Sequence, residues 1–287
     1  MRSQGDFTVS KVSCGVDWIS CTLAKDTLDS QVWYGDALFA LQELSKQGYE
    51  IKSRKMLGFE GWAVDNCFVG ANDTTFYAQF SGEKAEYAYP YLDHPKAHYS
   101  RIDLQVTVHY EQEHLKEGRY QYARAKHHNA TLPKYRQRTV DIWIGNGGGD
   151  TVYIGAVSSD QRGRIYNKAK QSDLEQYERA WRYEVVLRND YAVYMARTLY
   201  TKGASYAAFV VSQVSNWYRE RGVEIRGLGS FDATPIATPR NVPTDVERKM
   251  RWIEKQVVPT VRKLAQLGYS EQVMDLLAKA LIGSNQT

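Results

Sequence analysis

Cysteine is scarce in this sequence, long apolar runs are absent, and neither sign of charge dominates. The three cysteines, Cys14, Cys21 and Cys67, form no C-x-x-C pair, which argues against a disulfide framework and a structural zinc site. No apolar run approaches the roughly 20 residues that a membrane helix needs, and the polar first ten residues lack the apolar core of a signal peptide. These absences predict a cytoplasmic protein with reduced thiols and no membrane partner.

The charge of the chain is nearly balanced. Its 37 basic and 33 acidic residues give a net charge of +4, which by itself favours a nucleic-acid partner only weakly. Residues 119–138 depart from this balance, because they contain no carboxylate. Such a surface either lies along a phosphate backbone or is an ordinary solvated face. Its cations are Arg119, Arg124, Lys126, Lys134, Arg136 and Arg138.

The pattern of apolar residues indicates a mixed fold. A hydrophobic fraction of 43% with 13% aromatic residues is typical of globular proteins. Alternation predicts mostly strands, with helices at about residues 31–46, 111–128, 192–220 and 270–282. Glycine and proline accumulate in residues 222–243, which predicts a linker. We therefore expect an α+β fold of largely antiparallel sheets, with an N-terminal αβ lobe (1–97), a central sheet domain (98–221) and a linker with C-terminal helices (222–287).

Three of the predicted strands carry polar residues at alternate positions. Side chains two residues apart lie on the same face of a strand. The residues that share these faces are Arg101, Asp103, Gln105, Thr107 and His109 in the first strand, Arg162, Arg164, Tyr166 and Lys168 in the second, and Arg182, Glu184 and Arg188 in the third. If the strands form one sheet, this face collects two carboxylates, a tyrosine, a lysine and several arginines.

This set of side chains has two interpretations. Alternating charge is ordinary on the solvent face of a half-exposed antiparallel sheet. Phosphate chemistry needs the same groups, since carboxylates hold a hard divalent cation, guanidinium groups neutralise a phosphodiester and a hydroxyl attacks phosphorus. Free tyrosine has a pKa of about 10, so Tyr166 would need help to react near neutrality. A nearby cation such as Lys168 would favour its phenolate.

Four short blocks in these strands resemble the Rep_trans family of rolling-circle replication initiators, which includes plasmid initiators, some phage replication proteins and conjugative relaxases. The blocks occur in order and read R-I-D-L (101–104), Y-I-G (153–155), R-I-Y-N-K (164–168) and W-R-Y-E-V-V-L (181–187). The earlier V-D-W-I-S (16–20) is also similar. The resemblance spans about residues 14–190. It implies an HUH-like nicking core, although His127 and His128 form no His-hydrophobic-His triplet and belong to the basic surface.

The resemblance implies a catalytic role for three residues of R-I-Y-N-K. Tyr166 would be the nucleophile of a metal-dependent DNA nicking and closing enzyme. It would form a 5′-phosphotyrosyl link and leave a free 3′-hydroxyl that primes synthesis. Lys168 and Arg164 would contact the scissile phosphate.

The resemblance also implies a divalent metal. Asp103 and Glu184 are similar in position to the metal-binding acids of the family, and they would bind Mg²⁺ or Mn²⁺. Some plasmid members carry a second acid four residues beyond the first, where this chain has Thr107. Gln105, His109 or water would then complete the metal shell.

The partners that we expect follow from the same resemblance. The substrate would be single-stranded or hairpin-extruded origin DNA, because the scissile phosphate must enter the site. Arg162 and Arg182 would bind DNA together with the six cations of residues 119–138. A host helicase and polymerase would follow the nick, and a homodimer is compatible with this function.

Three other functions stay open at this point. A conjugative relaxase would use the same chemistry. A non-catalytic DNA-binding regulator on the same scaffold would bind DNA without metal dependence or cleavage. An RNA-binding protein would stack bases on its aromatic residues and prefer RNA to single-stranded DNA, but the sequence has no recognisable RNA-binding motif.

Overall fold

A computed structural model of the protein describes residues 8–145, 149–172, 179–228, 250, 253 and 257–282. Its strands form one antiparallel sheet in the order β2-β3-β4-β5-β1-β6-β10-β9-β8-β7. The strands are β1 (Val9–Ala24), β2 (Lys52–Met56), β3 (Phe59–Val64), β4 (Cys67–Ala71), β5 (Thr75–Ser81), β6 (His98–Tyr110), β7 (Val140–Trp143), β8 (Thr151–Ile154), β9 (Gln161–Asn167) and β10 (Ala180–Arg188).

Helices occur together with this sheet, which confirms the predicted α+β class. They are α1 (Leu28–Ser45), α2 (Glu83–Ala88), α3 (Glu117–Thr131), α4 (Lys168–Ser172), α5 (Asp190–Tyr200), α6 (Tyr206–Arg219), α7 (Val258–Gln266) and α8 (Ser270–Ile282). The single helix predicted over residues 192–220 is wrong, because a 3-10 turn at Gly203–Ser205 separates α5 from α6. Gly203 takes a φ of +50°, which a helix cannot continue through. Within the described segments, no helix is long and apolar enough to cross a bilayer.

The central strands bury one face under helices. Strands β6 and β10 are paired so that Leu104 lies opposite Val185 and Val106 lies opposite Tyr183. These four side chains are fully buried, and α5 and α6 pack on β6 and β10. The alternation of β6 and β10 therefore directs their apolar residues into the core and their polar residues to the opposite face.

Helix α6 approaches the sheet most tightly at β9 and β10. A Cβ atom at Gly163 would lie 2.5 Å from a ring carbon of Trp217, so only glycine fits there. The hydroxyl oxygen of Tyr218 lies 2.8 Å from the carbonyl oxygen of Arg164 and 2.7 Å from that of Glu184. The helix thus fixes these two strands from behind, at the residues whose side chains point to the polar face.

The first two predicted domains share this sheet, because β1 lies between β5 and β6. Contacts within the chain divide it instead into Met1–Pro239 and Arg240–Thr287. The second unit contains α7 and α8, whose described side chains are exposed or partly exposed. The predicted linker over residues 222–243 is described only as far as residue 228, and its remainder lies outside the described residues.

The sheet is open and has two outer strands. Strand β2 forms one edge and carries the exposed side chains of Lys52, Arg54 and Lys55. Strand β7 forms the other edge, spans four residues and ends at the exposed Trp143. One edge is therefore strongly basic and the other is short.

Candidate active site

The polar residues of β6, β9 and β10 do share one face of the sheet. In the strand register, Glu184 on β10 lies opposite Gln105 on β6 and Arg164 on β9. Tyr166 lies opposite Arg182 in the next position of the same face. Because paired residues in an antiparallel sheet point to the same side, the register brings these five side chains together.

Tyr166 is held by a hydrogen bond to Glu184. Its ring is 8% exposed, and its hydroxyl donates to Oε1 of Glu184. Burial raises the pKa of Tyr166, the negative charges of Glu184 and Asp17 raise it further, and only Arg182 opposes them appreciably. Burial and the two carboxylates therefore outweigh the cations near the hydroxyl in the protein alone, and the effect of Lys168 on the phenolate stays a prediction.

Glu184 is placed to accept the proton of Tyr166. It is 1% exposed, and burial raises its pKa to about 8. The charges of Asp17 and Asp103 act in the same direction, while Arg164 and the hydrogen bond from Tyr166 oppose them. A carboxylate with a raised pKa is a stronger proton acceptor than an ordinary glutamate. Tyr166 and Glu184 thus form an acid and base pair inside the sheet face.

Two arginines neutralise Asp103. Arg101 donates two hydrogen bonds to it, from Nε at 2.8 Å and from Nη2 at 2.5 Å. The guanidinium of Arg101 also lies 4.3 Å from the ring centroid of Trp18. Nη2 of Arg164 lies 3.1 Å from Oδ2 of Asp103 and forms an ion pair with Glu184 as well. Arg164 therefore bridges the two acids that the sequence singled out.

Asp17 is a further acid of this site, which the strand pattern did not reveal. It lies in β1 where the register with β6 shifts between Val16 and Trp18. Its carboxylate accepts a hydrogen bond from Nη1 of Arg182 at 2.6 Å. The V-D-W-I-S block contained this residue, but a bulge changes the face that a residue occupies, so alternation alone cannot place it.

Arg182 is the centre of a hydrogen-bonded chain. It is 4% exposed, and its Nε donates to Oγ1 of Thr107 at 2.8 Å. Thr107 donates in turn to Oε1 of Gln105 at 2.7 Å. The residue at the position of the family's second acid therefore helps to orient Arg182 and, through it, Asp17. Arg182 was predicted to bind DNA, but in this position its side chain is directed into the protein.

The predicted metal ligands are only partly brought together. Asp103 and Glu184 are joined by Arg164, and Gln105 lies beside Glu184. His109 lies six positions after Asp103 on β6, which is roughly 20 Å along a strand and too far for a shared ion. Among the described residues, no group of three or more His, Cys, Asp and Glu side chains is arranged to hold a metal.

Asp103 and Glu184 nevertheless fit a divalent cation as two of its ligands. Their carboxylates already hold one positive charge between them, the guanidinium of Arg164. Oε2 of Glu184 is buried. It forms an ion pair with Arg164 but accepts no hydrogen bond. Mg²⁺ is commonly bound by one or two carboxylates and several waters. The chemistry of this pair therefore suits Mg²⁺ or Mn²⁺.

A groove of about 480 Å³ opens beside Tyr166. Its lining includes Trp143, Tyr153, Arg164 and Lys170. The side chain of Trp143 is 63% exposed. The groove thus offers aromatic surface and positive charge next to the tyrosine hydroxyl, which are the groups that bind single-stranded nucleic acid.

Lys168 and Arg162 lie at the borders of this site. Nζ of Lys168 is 5.9 Å from the ring centroid of Tyr166. Burial lowers the pKa of Lys168, and the charge of Arg182 lowers it further. The guanidinium of Arg162 lies 4.3 Å from the ring centroid of Tyr153, a residue of the groove. Lys168 therefore lies beside the ring of Tyr166, and Arg162 lies beside the ring of Tyr153.

The six cations of residues 119–138 are divided between α3 and the loop that follows it. Arg119 forms an ion pair with Asp150 at 3.3 Å, and Arg124 donates to the carbonyl of Gly222 at 3.1 Å. The exposed cations of the stretch are Arg119, Lys126, Lys134, Arg136 and Arg138. Of these, Arg119 is paired with Asp150, a residue that also lines the groove beside Tyr166.

The fold and the site together define an α+β protein with a buried tyrosine, acidic and arginine cluster on the polar face of an antiparallel sheet. The chain belongs to the Rep_trans family of replication initiation factors, whose family model matches residues 98–280. This confirms the predicted family, while the match starts after the V-D-W-I-S block and extends well beyond residue 190.

Among the solved structures that this chain is similar to is a replication initiator. It is the rolling circle replication initiator protein from Geobacillus stearothermophilus, which is 19% identical to this chain. The match covers 66% of this chain and 79% of that one, with a TM-score of 0.48. No curated protein matches the chain.

Proposed function

We propose that this protein initiates rolling-circle replication by cutting and rejoining one DNA strand through Tyr166. The observation that carries the proposal is the hydrogen bond from the Tyr166 hydroxyl to Glu184, a buried carboxylate with a raised pKa. A tyrosine nucleophile needs a base that takes its proton as the bond to phosphorus forms. Glu184 is placed for this role, and membership of the replication initiation factor family supports the substrate.

The reaction is a transesterification. The oxygen of Tyr166 attacks the scissile phosphorus and passes its proton to Glu184. The bond between phosphorus and the 3′ oxygen breaks, and that oxygen takes up a proton from solvent to become the free 3′-hydroxyl. One phosphodiester replaces another, so attack by a 3′-hydroxyl on the tyrosyl adduct reverses the reaction and closes the strand.

The cations of the site would bind the phosphate. Arg164 contacts two carboxylates, so it would exchange one of them for a phosphate oxygen. Nζ of Lys168 lies 5.9 Å from the ring centroid of Tyr166, and it would neutralise a second oxygen. Guanidinium groups suit this task because they form paired hydrogen bonds with phosphate.

Asp103 and Glu184 would hold Mg²⁺ or Mn²⁺. When bound, the ion supplies positive charge that neutralises the phosphodiester. Arg101 would keep Asp103 in place, because its two hydrogen bonds and its contact with Trp18 fix the carboxylate independently of Arg164. Water would complete the metal shell.

The substrate would be single-stranded or hairpin-extruded origin DNA, with bases stacked in the groove of Trp143 and Tyr153. The exposed cations of residues 119–138 would bind the flanking DNA. A host helicase and polymerase would use the nick, and the active unit would be a monomer or a homodimer.

The test compares three forms of the protein on labelled single strands that tile the encoding element. The wild type, Tyr166→Phe and the control Tyr153→Phe are incubated with Mn²⁺ or with a chelator and run on denaturing gels. Tyr153 lines the same groove, so the control removes a neighbouring hydroxyl. We expect a metal-dependent covalent band that only Tyr166→Phe loses.

Two results would reject the proposal. An adduct that survives in Tyr166→Phe would assign the nucleophile to another residue. DNA binding without adduct or cleavage on any fragment would identify a non-catalytic DNA-binding regulator. A conjugative relaxase would give the same band as an initiator, and it would be recognised by an origin of transfer at the nick.

A further inference from the structure

A second cavity, of about 500 Å³, lies at the β7 edge of the sheet. Its lining includes Val140 and Ile154, which are paired on β7 and β8. Alternation along these strands places Tyr153 and Trp143 on the opposite face, where they line the groove beside Tyr166. The cavity and the candidate active site are therefore on opposite faces of the same edge.

Most of the charged side chains in the lining of this cavity are arginines. Arg136, Arg138, Arg221 and His128 line it together with one carboxylate, Glu220. Arg136 and Arg138 are exposed, and within the described part of the chain neither forms an ion pair with a carboxylate. Arg136 and Arg138 therefore bring positive charge to the cavity that no acid of the described residues pairs with, and unpaired cations of this kind bind anions.

Arg221 makes this cavity more than a basic surface. Its side chain is 12% exposed, and its guanidinium lies 3.8 Å from the ring centroid of Trp217. Nη1 donates to the carbonyl of Trp217 at 2.7 Å, while Nε is buried with no hydrogen-bond partner. Burial and then the charge of Arg138 lower the pKa of Arg221 to about 10. Arg138 and Arg221 thus repel each other, an ion pair between Nη1 of Arg221 and Oε2 of Glu220 at 3.4 Å offsets part of this repulsion, and Nε of Arg221 is an unused donor.

The walls of the cavity are fixed by contacts between α3 and the end of α6. Nε2 of His128 lies 3.0 Å from the carbonyl oxygen of Glu220. Gly222 has a φ of +75°, and a Cβ there would lie 2.3 Å from Cβ of His128, so the chain passes closely over the histidine. The Asn129 side chain accepts from the backbone N–H of Arg138 at 2.7 Å and donates to its carbonyl at 3.0 Å. Arg138 is therefore held at the rim.

We propose that this cavity binds a phosphate group of DNA through Arg138 and Arg221, on the face of the sheet opposite to Tyr166. Guanidinium groups bind phosphate through paired hydrogen bonds, and an anion between them would relieve their repulsion. DNA fits better than a free nucleotide, because the exposed Lys134, Tyr135 and Arg136 continue the basic surface beyond the cavity. That DNA is the source of the phosphate rests on the proposed function.

The test measures the binding of labelled random-sequence single strands and duplexes by fluorescence anisotropy at several salt concentrations. It uses the full-length wild type, Arg138→Gln and the control Arg54→Gln, which removes the same charge from the edge strand β2. One lost phosphate contact lowers the slope of log affinity against log salt by about 1. We expect Arg138→Gln to weaken binding about three- to tenfold and to reduce the slope, and Arg54→Gln to do neither.

Competition by inorganic phosphate and by ATP identifies the source of the phosphate. One outcome would overturn the DNA proposal. In it, phosphate or ATP binds the wild type but not Arg138→Gln, while the DNA affinity and the salt slope of Arg138→Gln equal those of Arg54→Gln. The cavity would then bind a free phosphate compound. If neither DNA nor phosphate distinguishes the two variants, the cavity binds no phosphate. The two proposals are scored by different readouts: loss of the covalent adduct in Tyr166→Phe tests the nucleophile, whereas the salt slope of Arg138→Gln tests this cavity.

Discussion

Glu184 holds its negative charge where burial opposes it. The side chain lies between Tyr166 and Arg164, with the charges of Asp17 and Asp103 nearby. One ion pair does not compensate for the loss of water and the repulsion by two other acids, so the pKa is raised. The same arrangement that makes Glu184 a good proton acceptor therefore costs folding free energy when the group is ionised.

Replacing Glu184 by glutamine should change how stability depends on pH. The pKa of about 8 in the folded protein lies above the ordinary value of 4.5. The folded state therefore binds this proton more tightly than the unfolded state, and the stabilisation is complete below about pH 4.5 and lost as the pH rises towards 8. Relative to the wild type, the free energy of unfolding of Glu184→Gln should increase between pH 5 and pH 8, by about 1.4 kcal/mol per pH unit at most.

Urea unfolding of both proteins at pH 5 and pH 8 checks this expectation. With metal removed by a chelator, groups remote from Glu184 contribute equally to the two proteins, so the difference between their free energies of unfolding reports Glu184 together with the neighbours whose charge it affects. The same difference at both pH values would contradict a raised pKa. Glu184→Gln should also lose the covalent adduct, because the amide cannot accept the proton of Tyr166.

The sequence predicted part of this site because strand alternation is a reliable geometric rule. It placed Asp103, Arg164, Tyr166 and Glu184 on one face before their contacts were known. It could not place Asp17, because a bulge breaks the alternation in β1. Alternation also does not reveal how deeply a side chain is buried or how far apart two residues of a strand are. The burial of Arg182 and the distance between His109 and Asp103 therefore could not be predicted from it.

At the scale of elements, helix α6 packs so closely on strand β9 that there is no room for a side chain at Gly163. A Cβ at Gly163 would lie within 2.5 to 2.8 Å of two ring carbons of Trp217, which is itself fully buried. Either the ring or strand β9 would have to shift. Since Arg164 and Tyr166 are on the same strand, a shift here would also move the candidate active site.

Gly163→Ala should therefore destabilise the protein by about 1 to 3 kcal/mol, as overpacking does in other cores. Gly35→Ala is the matched control, because Gly35 is exposed within α1 and nothing lies within 4 Å of its added Cβ. That change should stabilise the helix by about 0.8 to 1 kcal/mol. Denaturant unfolding of both variants measures the two effects, and an unchanged midpoint for Gly163→Ala would refute the close contact.

Helix prediction worked where local signals agree and failed where tertiary packing decides. The last helix, predicted at residues 270–282, matches α8 at both ends. The apolar period of residues 192–220 continues through the break between α5 and α6, since both helices use it to pack on the sheet. The turn at Gly203–Ser205 changes the direction of the chain without interrupting that period, so the sequence pattern alone predicted one helix.

At the scale of the whole molecule, the buried core belongs to the unit Met1–Pro239. The described side chains of α7 and α8 are exposed or partly exposed, so the unit Arg240–Thr287 contributes no buried side chain among them. Domain limits at residues 97 and 221 were expected from composition. Composition does not reveal which strands pair, and β1 joins the segments on either side of residue 97 in one sheet.

A chain that ends after Pro239 should therefore keep the stability of the full-length protein. We expect its thermal midpoint to change by less than about 2 °C, since about 1 kcal/mol shifts the midpoint of a domain of this size by roughly 2 to 4 °C. Calorimetry on both chains at equal concentration checks this. A broad or strongly lowered transition would mean that residues 240–287 complete the core.

The edges of the sheet limit how this protein can associate with itself. Outer strands offer free backbone N–H and C=O groups to a strand from another molecule. A second copy paired antiparallel along β2 about its middle residue would bring Arg54 opposite Arg54, and β7 is too short to secure a long pairing. Neither outer strand is therefore well suited to extend the sheet into a second copy of this chain.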